Sequence, residues 1–120
     1  MRSKWLEYQG NKIFFQDFSG FDLQQADPIK EELAAVQALV VQEPPNSILI
    51  LADFRETQIG RDLMQMLTES SKLTQAHVKK TAVLGVHGVK RFLADTLIRM
   101  TGQPLSFFDD ETAAKDWLIS

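Results

Sequence analysis

The chain has 120 residues, 44% of them hydrophobic, with a formal net charge of −3. That length suits one domain, 1–120, able to close a core without staples. The acidic balance argues against a general nucleic-acid binder, which needs a basic excess to neutralise phosphates. The absence of cysteine excludes disulfides and thiolate chemistry. Arg2 and Lys4 lead into Trp5-Leu6-Glu7 and not an apolar run, so no signal peptide is expected. Apolar stretches fall well short of the roughly 18 residues of a membrane span. The expectation is a cytoplasmic protein without integral membrane association.

Lys4 to Gln9 carries the strand formers Trp5, Leu6 and Tyr8. Gly10-Asn11 suits a tight hairpin, and Lys12 to Phe18 is the return strand. Asp27-Pro28 announces a helix, since an aspartate can cap free amides and a proline at the first position loses no hydrogen bond. Ile29, Leu33, Val36 and Val40 form its apolar stripe, Glu31 and Glu32 suit its positive end, and Pro44-Pro45 stops it. Ile48 to Ala52 is apolar without alternation, as in a strand covered on both faces. Asp53 ends it, and Phe54 to Gly60 reads as a polar loop.

A second helix spans about Arg61 to Gln75, with Leu63, Leu67 and Leu73 inward together with Met64 or Met66. Thr81 to Val86 is another greasy strand. Gly85-Val86-His87-Gly88 makes a turn into a helix over Val89 to Thr101, closed by Gly102. Leu105 to Phe108 is the last strand. Asp109-Asp110 can cap a short final helix bearing Ala113, Ala114, Trp117 and Leu118. The order implies an α/β fold with a mixed, mostly parallel sheet of about five strands: an antiparallel N-terminal hairpin, then β-α repeats.

The C-terminal third carries Ala82-Val83-Leu84-Gly85-Val86, Thr101-Gly102-Gln103-Pro104-Leu105, Phe107-Phe108-Asp109-Asp110 and Ala113-Ala114-Lys115-Asp116-Trp117-Leu118. This resembles the small bacterial STAS-like proteins, a group sometimes placed with the CRAL-TRIO lipid-binding domain. The resemblance implies sequential strand order and helices mainly on one side of the sheet. It also implies a protein-interaction, regulatory or ligand-sensing module. Anti-sigma-factor antagonists of that group are switched by phosphorylation of a serine or threonine after the third strand. The region here is Asp53 to Leu63; their Asp-Ser-Ser-Gly pattern is absent, and Thr57 is the candidate phosphoacceptor.

Open α/β sheets bind ligands at the carboxyl ends of their strands. The candidate ligand-binding residues there are Asp53, Arg55, Thr57, His87, Lys90 and Arg91. Helix-start amides beside Lys90 and Arg91 can hold an anion. His87 with Asp53 or Asp109 is the candidate pair for a small hydrolase-like enzyme. Asp53 also stands where receiver domains carry their phosphoacceptor, but their acidic pair after the first strand is missing. His77, at a helix end, reads as structural. No group of potential ligands has metal spacing, so no metal, cofactor or catalytic set is expected. Six of the eleven aromatics fall within the first 21 residues, and they read as hairpin core or as an exposed apolar surface. If helices cover one face of the sheet, the other needs the hairpin, a protein partner, a second copy in a homodimer, or a small apolar or lipid ligand.

Overall fold

A computed structural model describes residues 2–21, 26–57, 61–86 and 105–120. Five strands, β1 (Lys4–Tyr8), β2 (Asn11–Asp17), β3 (Ile48–Asp53), β4 (Val78–Leu84) and β5 (Leu105–Phe108), form one sheet in sequential order. β1 and β2 are antiparallel, and every other neighbouring pair is parallel. Ile50 lies beside Thr81 and Leu51 beside Ala82, so the two greasy strands run side by side in one direction. The described helices are α1 (Ala26–Val40), α2 (Arg61–Thr74) and α3 (Glu111–Ile119).

The hairpin turn sits one residue earlier than the sequence suggests. Its central residues are Gln9 and Gly10, both with positive φ, 49° and 80°. That is the sense of turn that matches strand twist, and Gly10 carries it without steric cost.

Strand alternation divides the core into two layers. Phe14, Ile50, Ala52 and Val83 point to one face and pack with Ile29, Val36 and Val40 of α1 and Leu63 of α2. Ile13, Leu51, Ala82 and Leu84 point to the other and pack with Ala114 and Leu118 of α3. Two of the three described helices thus lie on one side of the sheet, and α3 covers β3 and β4 from the other. Asp110 caps this helix by accepting from the Ala113 amide at 2.9 Å. Side chains also anchor it. Tyr8 donates to Asp116 at 2.5 Å, and Lys80 donates to the Trp117 carbonyl at 3.1 Å while lying over its ring.

β4 begins at Val78, three residues before the sequence suggests. A short turn, Gln75–His77, follows α2 directly, and Lys79-Lys80 break the apolar run without breaking the strand. His77 sits there structurally, with its Nδ1 2.7 Å from the Glu43 carbonyl oxygen.

The inward stripe of α2 differs too. Leu63 is buried, but Leu73 is 59% exposed while Ser70 and Thr74 are buried. At about 100° per residue, positions 63, 67, 70 and 74 share a face, whereas position 73 lies about 80° round from Leu63.

The aromatic residues of the hairpin are mostly core. Phe14, Phe18 and Phe21 are buried, and Phe18 stacks on Phe54 with ring centroids 5.5 Å apart. Trp5 stays partly exposed, edge-on to Phe14. On the α1 side, Glu32 is buried and anchors the N-terminal segment. It accepts from the Arg2 amide at 2.9 Å, the Ser3 amide at 2.7 Å and the Ser3 hydroxyl at 2.5 Å. Burial pushes its carboxyl up, but these hydrogen bonds outweigh burial and hold it below the usual glutamate range.

Candidate functional site

Backbone bonds stitch the loops together at the carboxyl edge of the sheet. Phe18 donates to the Asp53 carbonyl, Gly20 to the Arg55 carbonyl and Phe54 to the Leu84 carbonyl, each at 3.0 Å. Asp53, buried at the end of β3, organises this edge. Its Oδ1 accepts from the Arg55 amide and Nε at 2.9 Å, and its Oδ2 accepts from Arg55 Nη2 at 2.9 Å. A hydrogen-bonded carboxylate partner favours the charged guanidinium, so Asp53 raises the pKa of Arg55 above its ordinary value. Arg55 Nη2 also reaches Glu111 at 3.5 Å, joining this loop to the start of α3. Both oxygens of Asp53 are thus occupied by its own loop.

Thr57 is fully buried, and its hydroxyl donates to the Phe18 carbonyl. In this position it fastens the β3 loop to the end of β2. Gly85 makes the tightest approach among the described glycines. A Cβ there would stand 2.6 Å from the Arg55 Cα and N, and its φ is +80°. The structure therefore brings Asp53, Arg55 and Thr57 together as a mutually bonded loop. His87, Lys90 and Arg91 lie outside the described residues, and so do the anion-binding turn and the helix expected over Val89 to Thr101. Among the described residues no group of His, Asp and Glu is placed to hold a metal. Likewise, no described helix is long and apolar enough to cross a membrane.

A second feature lies deeper. Between the sheet and the α1–α2 layer is a cavity of about 80 Å³. Val36, Ile50, Ala52, Leu67, Val83 and Phe107 give it apolar walls. Ser70, Ser71 and Thr74 of α2, with Gln16 and Thr81, add polar atoms, and none of its described lining residues is charged. Little in the residue pattern points to this space. Serines and a threonine in an otherwise amphipathic helix read as a solvated face, and the signal that they turn inward is their i, i+3 and i+4 spacing from Leu63 and Leu67.

The solved structure of an uncharacterised DUF3478-family protein with a SpoIIAA-like fold, from Shewanella loihica PV-4, superposes on this chain with a TM-score of 0.74. The match covers 97% of this chain and 91% of that one, at 14% sequence identity. The fold is SpoIIAA-like. That places it with the STAS-like architecture the C-terminal motifs resemble, with a mixed five-stranded sheet and flanking helices. No protein-family model and no curated protein matches the sequence. At this identity the likeness concerns the fold, so the function of the SpoIIAA-like domain has to be argued from its own residues.

Proposed function

We propose that this SpoIIAA-like domain is a non-enzymatic binding module that holds a small, uncharged apolar molecule between its sheet and the α1–α2 layer. The cavity carries this reading. Its volume of about 80 Å³ exceeds the roughly 10–15 Å³ that one water needs and is well below the roughly 300–1,000 Å³ of drug-sized sites. It suits a few heavy atoms or the end of a chain, not a whole lipid. The apolar walls favour such a group by the hydrophobic effect, and the described lining residues, all uncharged, would leave an ion unpaired. The carboxyl-edge loop supports binding over catalysis, since Asp53 is committed to Arg55 and Thr57 to Phe18.

The test is a titration with n-pentane, followed through methyl carbon–proton shifts. Saturable shifts at Val36, Ile50, Leu67 and Val83 are expected. Shifts that never saturate, or that spread over the surface, overturn the reading.

A second reading, a protein-interaction or regulatory module, draws support from the outer groove between α1 and α2. Val41 and Leu73 line it, 43% and 59% exposed, with Ala34, Ala38 and Met66 along the same groove. Exposed apolar side chains grouped in a groove suit a protein partner or a second copy of the chain. Native mass spectrometry of the wild type and of Leu73→Glu tests the homodimer: a dimer lost in the variant supports it, and a monomeric wild type removes it.

A further inference from the structure

Ser70 of α2 and Thr81 of β4 each bring a hydroxyl residue to the cavity wall. Ser70 belongs to the inward stripe of α2, after Leu63 and Leu67. Thr81 lies mid-strand in β4, between Ile50 of β3 and Leu105 of β5, where an interior parallel strand normally carries an aliphatic side chain. Both residues are only 8% exposed and both line the cavity, Ser70 also bordering the outer groove between α1 and α2. Thr74, a turn beyond Ser70, satisfies its own hydroxyl by donating to the Ser70 carbonyl at 3.1 Å. The hydroxyls of Ser70 and Thr81 have no hydrogen-bond partner among the described residues. A buried hydroxyl without a partner is unfavourable, and buried polar groups in folded proteins are paired as a rule. Two such groups on different elements lining one cavity indicate that the missing partner belongs to what the cavity holds.

We infer that the cavity's ligand carries one uncharged hydrogen-bonding group on its apolar body, as an aliphatic alcohol does, and that the hydroxyls of Ser70 and Thr81 receive it. This rests on the cavity being a ligand site. A hydroxyl both donates and accepts, so it can pair with either residue, and Ser71 and Gln16 stand at the same cavity. A carboxylate or an amine is disfavoured, because no described lining residue supplies a compensating charge.

The experiment compares 1-butanol with n-pentane, which have equal numbers of heavy atoms, on the wild type and on a Ser70→Ala/Thr81→Val variant. Comparing the ratio of dissociation constants across the two proteins cancels the different costs of taking each compound out of water. The variant should weaken 1-butanol about tenfold while leaving n-pentane unchanged or tighter. Its thermal midpoint should stay at or above the wild-type value, because two unpaired hydroxyls are gone. An unchanged ratio overturns the inference, as does n-pentane binding with no 1-butanol binding; the apolar-ligand reading survives both results. Saturable binding of neither compound removes that reading and the inference together.

Discussion

Gly85→Ala should destabilise this domain more than any other single methyl addition at a described glycine. At Gly10 and Gly20 an added Cβ meets nothing within 4 Å, and only the positive φ opposes it. At Gly85 the same backbone penalty applies, about 1–2 kcal/mol for a residue with a Cβ in left-handed space. The new methyl would also stand 2.6 Å from two backbone atoms of Arg55, where ordinary contact begins near 3.4 Å. Those atoms cannot swing aside as a side chain would. Arg55 is held by three bonds to Asp53, and its carbonyl accepts from Gly20. The strands must therefore part at their carboxyl edge and stretch the Phe54–Leu84 bond. Overpacking of this kind costs about 1–3 kcal/mol, giving about 2–5 kcal/mol in all, a large share of the roughly 5–15 kcal/mol that holds a domain together. Urea unfolding followed by circular dichroism measures it, as a lower midpoint with an unchanged slope. A loss below about 0.5 kcal/mol would refute the claim that Gly85 is required by close approach.

Glu32→Gln should cost about 1–3 kcal/mol near neutral pH, because the carboxylate is the shared acceptor of three donors from Arg2 and Ser3. The carboxyl's folded pKa is depressed, so its contribution is present above the unfolded value and is lost as pH falls through the folded one. Urea midpoints against pH should show a shallower acid limb in the variant. Tyr8 is the chain's single tyrosine, and its hydrogen bond to Asp116, chiefly, pushes its phenol above the ordinary value of 10.0. Absorbance at alkaline pH should place its titration above that value, and Asp116→Ala should bring it down. Thr57→Val should destabilise by about 1–3 kcal/mol, since it leaves the Phe18 carbonyl without this donor; denaturant unfolding reads it.

What could be read from the chain alone follows from which residues speak for themselves. Ile48 to Ala52 has no polar residue to confuse it, and β3 lies there. Asp110 precedes Glu111-Thr112-Ala113, and it caps α3 as that spacing suggests. The start of β4 was obscured because Lys79 and Lys80 look like loop, yet Lys80 reaches over the sheet to the end of α3, a contact between positions 37 residues apart. The cover on the second face is hard to read from the chain for a related reason. A nine-residue helix presents little apolar surface, and only Ala114 and Leu118 are fully inside. The cavity was invisible because it arises from what Ser70 and Thr81 leave unfilled, and absence of volume has no signature in a one-dimensional pattern.

Xenon offers the most direct test of the central claim, since it enters apolar cavities and forms no hydrogen bond. Methyl spectra recorded under increasing xenon pressure should show saturable shifts of Val36, Ile50, Leu67 and Val83, which line the space beneath α1 and α2. Shifts confined to Val41 and Leu73 on the outside, or none that saturate, would contradict it.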